Sequence, residues 1–138
     1  MMAELACLAL AVYYEARSET LQGQIAVAQV IMNRVADPRY PKTICEVVQQ
    51  GPTSPTGMPL RHRCQFSFWC DGLGEDPRDV WAWKKAQAVA SIVYDGQMLL
   101  PELAGVLYYT RSDVAPEWSE SMKLVATIGS HVFLKEQR

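Results

Sequence analysis

Residues 12–19 read Val12-Tyr13-Tyr14-Glu15-Ala16-Arg17-Ser18-Glu19 and join an apolar run to a cluster of charges. The preceding residues 5–14 are almost uncharged and rich in Ala and Leu, which predicts a largely buried first helix. If that helix continues through Glu15, the carboxyl group of Glu15 lies on or beside a buried surface. Partial desolvation would raise the pKa of this carboxyl group, as a general acid working near neutral pH requires.

The same cluster also permits a simpler interpretation. Glu15 and Glu19 stand four residues apart, on one face if the helix continues, and Arg17 can neutralise either carboxylate. Charge clusters at helix ends are usually solvated. These eight residues alone therefore leave two interpretations open, a buried acid and a solvated helix end.

The composition is that of one globular domain, which we expect to span residues 1–138. Hydrophobic residues make up 49% of the chain and charged residues 20%, as in ordinary folded proteins. The formal charge of -2 provides no basic patch for nucleic acid, so this class of partner is disfavoured.

The chain shows no signal for membrane insertion or export. No stretch approaches the roughly 18 apolar residues that span a bilayer. The apolar start lacks a basic leading region and contains Glu4, so we interpret it as the first core helix and expect no export signal.

Helix signals dominate the first half of the chain. Thr20 or Ser18 is predicted to cap a second helix, whose apolar stripe comprises Leu21, Ile25, Ala28, Met32 and Val35. Gly23 would allow close approach of the first helix. Asn33 and Arg34 either cap the end of this second helix or orient a functional site.

Later segments predict further helices and a small sheet. Thr43 caps a short helix, and residues 49–63 form a Gly- and Pro-rich loop that we interpret as a rim or lid. Asp76-Pro77 is predicted to open a third long helix that ends at Gly96. Residues 106–110 and the chain end, a turn plus a final strand, predict strands that pair antiparallel, giving a mainly helical α+β fold.

The aromatic segment Cys64-Gln65-Phe66-Ser67-Phe68-Trp69-Cys70-Asp71-Gly72 predicts a short extended element before an Asp-Gly turn. Phe66 and Phe68 either pack inward or belong to a wall that covers the apolar faces of sugars. In the second case Gln65, Ser67 and Asp71 would bond hydroxyl or acetamido groups.

The four cysteines favour no metal site, and we expect neither a metal nor another cofactor. His62, Cys64, Cys70 and Cys45 supply enough ligands for zinc, but the spacing of structural zinc sites is absent. A Cys64–Cys70 disulfide, formed only in an oxidising compartment, is favoured over zinc. Cys7 is interpreted as a small buried apolar residue, Cys45 is undecided, and no cysteine has the surroundings of an activated nucleophile.

Several short segments occur in one order along most of the chain: Tyr14-Glu15-Ala16-Arg17-Ser18-Glu19, Gly23-Gln24-Ile25-Ala26-Val27-Ala28-Gln29-Val30, Asn33-Arg34-Val35, Tyr40-Pro41, Ile44-Cys45-Glu46-Val47-Val48, Gln65-Phe66-Ser67-Phe68, Cys70-Asp71-Gly72, Tyr108-Tyr109, Pro116-Glu117-Trp118 and Ile128-Gly129-Ser130-His131-Val132-Phe133. In this order the chain resembles the cell-wall hydrolase family typified by spore-cortex-lytic enzymes of the SleB and CwlJ type. Arg111 departs from the resemblance, since a small polar residue such as Asn would be more typical there.

The resemblance implies a lysozyme-like fold that cleaves peptidoglycan between N-acetylmuramic acid and N-acetylglucosamine. Glu15 matches the catalytic glutamate, which protonates the glycosidic oxygen and then helps the muramic acid 6-hydroxyl attack C1, giving a 1,6-anhydro product. A hydrolysing muramidase would need a second carboxyl group, about 5 to 5.5 Å away for retention or about 6.5 to 9.5 Å for inversion. Glu19 and Asp71 are the candidates for that group.

We expect a monomer whose partner is peptidoglycan. The predicted groove residues are Gln65, Phe66, Ser67, Tyr108 and Tyr109, with Glu19 and Asp71 also assigned to substrate binding. Glu19 or Arg17 is expected to tune the pKa of Glu15.

The lack of an export signal suggests a phage endolysin made in the cytoplasm, or a shortened form of an exported enzyme. The alternatives to a transglycosylase are a hydrolysing muramidase, a non-catalytic wall-binding module and a zinc-organised interaction domain.

Overall fold

The computed structural model describes residues 2–51, 65–70 and 76–137. Its helices and strands, in chain order, are α1 Met2–Ala16, α2 Leu21–Ala36, α3 Ile44–Val48, α4 Val80–Tyr94, β1 Tyr108–Arg111, β2 Met122–Ile128 and β3 His131–Glu136. Short 3-10 helices cover Ser67–Cys70, Pro101–Leu103 and Glu117–Ser121. The long helices therefore come first and the sheet last, a segregation that is typical of an α+β chain.

The first two helices follow the sequence pattern closely. Helix α1 buries its apolar side chains around Val12 and ends at Ala16, directly after Glu15. Thr20 caps α2 by accepting a hydrogen bond from the Gly23 N–H, as predicted. Leu21 is 46% exposed, so its place in the apolar stripe was wrong, because the first turn of α2 precedes the core.

Gly23 contacts the turn that joins α1 and α2, and its position there needs a small residue. A Cβ added at Gly23 would lie 2.9 Å from the Cβ of Glu19, a separation that real Cβ atoms do not show. The residue that approaches Gly23 is therefore Glu19, after the end of α1, and the expected approach of α1 itself is corrected.

Helix α4 starts later than the sequence indicated. Its N-cap is Asp79, whose side chain accepts from the Ala82 N–H at 3.1 Å, and Asp76-Pro77 lies ahead of the helix. The Asp79 N–H also donates to the Tyr13 hydroxyl at 3.0 Å, which ties the start of α4 to α1. Asp79 therefore both caps α4 and links it to α1. The prediction that α4 starts at Asp76 was wrong.

The sheet has three antiparallel strands in the order β1-β3-β2, with β3 in the centre. On β1 and β3, Tyr109 pairs with Phe133 and Arg111 pairs with His131. Strand β2 was not predicted as a separate strand, because its burial does not alternate. Gly129 makes the β2–β3 turn with a φ of 58°, a conformation that favours glycine.

The described part of the aromatic segment, residues 65–70, contains a 3-10 turn, so the predicted extended conformation was wrong there. The Trp69 N–H donates to the Phe66 carbonyl at 3.1 Å, and Ser67–Cys70 forms one 3-10 turn. The inward packing of Phe66 and Phe68 is confirmed, since both are buried and Phe68 stacks on Tyr14 at a centroid distance of 4.9 Å. Residues 52–64, most of the predicted rim or lid, lie outside the described residues, so that role stays a prediction.

A disulfide joins Cys7 of α1 to Cys45 of α3, so the interpretation of Cys7 as a small buried apolar residue is corrected. The two Cα atoms are 5.2 Å apart because α1 and α3 pack together. Glu4 reinforces this junction, since its carboxylate accepts from the backbone N–H groups of Ile44 and Cys45 at the start of α3. Cys64 lies outside the described residues, so the Cys64–Cys70 pairing stays a prediction.

The part of the chain that the structure describes supports neither a metal site nor a membrane-spanning helix. No group of three His, Cys, Asp or Glu side chains there is placed to hold a metal ion. Among the same residues, no helix combines the length and the apolar character needed to cross a bilayer.

Candidate active site

A cleft of about 690 Å³ lies between the helices and the sheet. Its walls come from the end of α1, from α2, from the aromatic segment and from β1 and β3. The lining residues are Tyr14, Glu15, Arg34, Tyr40, Gln65, Phe66, Ser67, Tyr108, Tyr109, Thr110, Arg111, Trp118 and His131. Glu15 thus lies inside a concave site, and the alternative of a solvated helix end does not hold.

The carboxyl group of Glu15 faces strand β1. The Tyr109 hydroxyl donates to Glu15 Oε1 at 2.6 Å, a short bond of the kind that charged acceptors form. Burial raises the pKa of Glu15, while the Tyr109 hydrogen bond and the charge of Arg34 lower it by smaller amounts. The net result is a carboxyl group that holds its proton to higher pH than an exposed glutamate.

Tyr109 itself stays protonated in this setting. Burial and the neighbouring Glu15 carboxylate raise the pKa of the Tyr109 hydroxyl well above its usual value. Tyr109 therefore acts as a fixed hydrogen-bond donor to the ionised form of Glu15.

Arg34 is a buried cation that faces the same cleft. Its Nε–H donates to the Leu107 carbonyl at 2.9 Å, and its guanidinium carbon lies 5.2 Å from the Tyr40 ring centroid and 5.5 Å from that of Phe66. Within the described residues, no carboxylate lies at ion-pair distance from Arg34. Its charge therefore acts on Glu15 from a distance, which favours orientation of the site over capping of the end of α2.

Asn33, which precedes Arg34 in α2, supports the same wall of the cleft. Its amide donates to the carbonyls of Leu103 and Val106, each at 2.9 Å. These bonds hold the segment that leads into β1, the strand that carries Tyr109.

Arg17 and Glu19 do not tune Glu15, contrary to our expectation. The Arg17 guanidinium donates to the Tyr13 hydroxyl at 2.6 Å, and the Glu19 carboxylate accepts from the Ser130 N–H at 2.9 Å. That bond lowers the pKa of Glu19. Because α1 ends at Ala16, the four-residue spacing does not place the two glutamates on one face. Glu19 contacts the β2–β3 turn and does not line the cleft.

The other predicted groove residues divide into two groups. Gln65, Phe66, Ser67 and Tyr108 all line the cleft together with Glu15 and Tyr109. Asp71 lies outside the described residues, so its assignment stays a prediction.

The sequence analysis missed several lining residues. Trp118 is 45% exposed, and its ring lies 6.0 Å from that of Tyr108, which gives the cleft an open aromatic face. Thr110 carried no local signal, whereas Tyr40 belongs to the Tyr40-Pro41 segment of the family resemblance. Trp118 and His131 occur in the segments that carry the family resemblance, which is where a signal for them was available.

The family pattern described as Cell Wall Hydrolase matches residues 18–134. The spore cortex-lytic enzyme of Oceanobacillus iheyensis is 31% identical over 127 residues, which cover 91% of this chain and 39% of that enzyme. The corresponding enzyme of Halalkalibacterium halodurans is 32% identical over 127 residues, 91% of this chain and 33% of that protein. The chain therefore spans less than half the length of these relatives.

Two solved structures resemble the chain over nearly its whole length. The catalytic domain of the germination-specific lytic transglycosylase SleB from Bacillus anthracis superposes with a TM-score of 0.72 at 28% identity, covering 98% of this chain and 96% of that one. The catalytic domain of Bacillus cereus SleB gives a TM-score of 0.68 at 28% identity, covering 98% and 91%. The expected lysozyme-like fold, mainly helical with a small antiparallel sheet, is confirmed.

Proposed function

This chain belongs to the cell wall hydrolase family, and from that membership we propose that it cleaves peptidoglycan glycan strands as a lytic transglycosylase. The bond broken joins N-acetylmuramic acid to N-acetylglucosamine. One observation carries the proposal: the partly buried carboxyl group of Glu15, whose pKa is raised, accepts a hydrogen bond from Tyr109 inside the cleft. The similarity to a lytic transglycosylase domain supports the same reaction.

In the first step, protonated Glu15 donates its proton to the glycosidic oxygen. The bond from C1 of muramic acid to that oxygen breaks, the N-acetylglucosamine end leaves as an alcohol, and positive charge develops at C1. Burial supports this step because it raises the pKa of Glu15, so the carboxyl group keeps its proton to higher pH than an exposed glutamate does. The carboxylate that forms is stabilised by the Tyr109 hydroxyl and by the charge of Arg34.

In the second step, the Glu15 carboxylate accepts the proton of the muramic acid 6-hydroxyl. The oxygen of that hydroxyl attacks C1 and closes the 1,6-anhydro ring, and Glu15 regains its proton. The cycle consumes no water and requires one carboxyl group.

The cleft favours this chemistry over hydrolysis by two carboxyl groups. Among the described residues that line it, Glu15 is the sole carboxylate. Glu19 is engaged with the Ser130 backbone, which removes it as the partner that a hydrolysing muramidase would need.

Sugar rings would lie along the walls of the cleft. The open face of Trp118 and Tyr108 suits the apolar side of a pyranose, and Gln65 and Ser67 provide polar groups for hydroxyl or acetamido substituents. We assign these four side chains, with Phe66 behind them, to substrate binding.

The test uses purified sacculi and a pair of glutamine variants. Glu15→Gln keeps the shape of the side chain and removes the proton donor, whereas Glu102→Gln changes an exposed glutamate that does not line the cleft. We expect Glu102→Gln to clear sacculi like the parent and Glu15→Gln to release no soluble fragments. Clearing by Glu15→Gln would remove Glu15 from the mechanism. Binding by the parent without any soluble product would instead favour a wall-binding module.

A further inference from the structure

His131 is a buried polar residue that the mechanism above leaves without a role. It opens strand β3, is only 5% exposed, and lines the cleft. Its Nδ1 is shielded from solvent and has no hydrogen-bond partner among the described residues. Buried polar atoms without partners are rare in folded proteins and cost stability, so one that persists at a cleft calls for a functional explanation.

The imidazole ring is held by the sheet and by its neighbours. Its centroid lies 5.2 Å from the Tyr109 ring, edge to face, and 6.3 Å from the Phe133 ring. The flanking strands place Arg111 and Ile128 opposite it in register. Tyr109 therefore contacts both His131 and the carboxyl group of Glu15.

The surroundings of the ring favour its neutral form. Burial lowers the pKa of His131, and the charge of Arg111 lowers it further. The Glu19 carboxylate acts in the opposite direction but does not reverse the effect of burial.

A neutral imidazole carries one proton, and the surroundings of Nδ1 decide where it is. A buried N–H without an acceptor is less tolerated than a buried acceptor without a donor. The proton therefore belongs on Nε2. Since Nδ1 is shielded and the ring lines the cleft, the Nε2–H is the polar group that His131 can present to a ligand.

We propose that His131 is a substrate-binding residue whose Nε2–H donates to an uncharged oxygen of the glycan close to the bond that Glu15 protonates. The acceptor is a sugar hydroxyl or the carbonyl of an N-acetyl group. This inference rests on the proposed function for its substrate, and it adds a neutral donor to a cleft that also contains the cations Arg34 and Arg111.

Two amide variants distinguish the role of Nδ1 from that of Nε2. The amide nitrogen of glutamine reaches the position of Nε2, whereas the shorter asparagine places its amide near Nδ1. We expect His131→Asn to lower kcat/KM on sacculi about tenfold, as for loss of one buried hydrogen bond, and His131→Gln to lose about threefold or less. Equal losses in the two variants would overturn the assignment.

A third variant tests whether the ring is merely structural. His131→Phe keeps an aromatic ring and removes the buried nitrogen that lacks a partner. We expect its melting temperature to equal or exceed that of the parent, while kcat/KM falls about tenfold. A melting temperature that falls in parallel with activity would show that His131 serves packing alone, and would overturn the proposal.

Binding without turnover gives a readout that does not depend on cleavage. The Glu15→Gln variant, labelled with nitrogen-15 in histidine, is titrated with a glycan oligomer from sacculi whose peptides have been removed. We expect the ring spectrum of His131 to show a neutral Nε2–H form and the Nε2 resonance to shift on binding. The same oligomer after removal of its N-acetyl groups separates the two acceptors, because a shift that persists indicates a hydroxyl and one that disappears indicates the carbonyl.

The outcomes distinguish this inference from the proposed function. An Nε2 resonance that neither oligomer shifts would overturn the role of His131, even if the parent clears sacculi. A shift of Nε2 in a protein whose parent form does not clear sacculi would support glycan binding by His131 and reject the proposed cleavage.

Discussion

Replacement of Tyr109 by phenylalanine should move the pH dependence of cleavage in a direction that the structure determines. The Tyr109 hydroxyl donates to Glu15 Oε1 at 2.6 Å, and this bond favours the ionised carboxylate. The Tyr109→Phe variant keeps the ring and loses the donor. The pKa of Glu15, already raised by burial, should therefore rise further.

The size of this shift follows from the energy of the bond. A hydrogen bond to a charged group contributes about 1.5–3 kcal/mol. One pKa unit corresponds to about 1.36 kcal/mol, so the loss should raise the pKa of Glu15 by about one to two units. Because the protonated form is the catalytic acid, the alkaline limb of kcat/KM should move to higher pH by the same amount, while the maximal rate falls.

The assay is the initial rate of turbidity loss on sacculi across pH, at a substrate concentration low enough to report kcat/KM. Tyr108→Phe is the matched control, since Tyr108 lines the cleft but donates no hydrogen bond to Glu15. The control should leave the alkaline limb where the parent has it. An alkaline limb that stays in place in Tyr109→Phe, or moves to lower pH, would refute the assignment of Glu15 as the acid that Tyr109 holds.

Three further predictions concern stability. Because the folded pKa of Glu15 lies above 4.5, stability from this group is complete below that pH and is lost as pH rises through the folded pKa. Glu15→Gln should thus raise the melting temperature above neutral pH and leave it unchanged in acid; the reverse order would contradict the burial of the carboxyl group. Replacing Cys7 and Cys45 by serine opens a link across 38 residues and should cost about 4 kcal/mol in urea titrations, and an unchanged midpoint would count against the disulfide. Gly129→Ala should cost about 1–3 kcal/mol in the same titrations, because the φ is positive and a Cβ would meet the Glu19 carboxylate; parent-like stability would mean that the turn relaxes.

The sequence predicted the elements whose signals are local. The apolar run before Glu15 and the capping residues Thr20 and Thr43 lie within a few positions of the helices that they define, and α1, α2 and α3 follow them. The start of α4 was predicted wrongly because Asp76 and Asp79 are both acceptable N-cap residues. The bond from the Asp79 N–H to the Tyr13 hydroxyl spans 66 positions, and no local pattern shows it.

The sheet and the disulfide were harder to predict for similar reasons. Strand β2 is half exposed, with Lys123 and Leu124 adjacent and both open to solvent, so it lacks the alternation that indicates a strand. Cys7 and Cys45 become neighbours only through the packing of α1 against α3.

In the candidate site too, some features could be predicted from sequence motifs, whereas others depend on tertiary packing. Glu15 and Tyr109 were accessible from the motifs that resemble the family, and the structure brings their side chains together. The effect of Arg34 on the pKa of Glu15 could not be predicted, because Arg34 reaches the cleft from another helix. The unpartnered nitrogen of His131 is a property of three-dimensional packing, so no sequence pattern reports it.

The mass of the fragments released from sacculi decides whether cleavage uses one catalytic carboxyl group or two. If Glu15 performs both proton transfers, every new muramic acid end is a 1,6-anhydro ring, lighter than a reducing end by the elements of one water, and digestion in heavy-oxygen water adds no label. Reducing ends that carry the heavy oxygen would show that water attacks C1, and would contradict the mechanism assigned to Glu15.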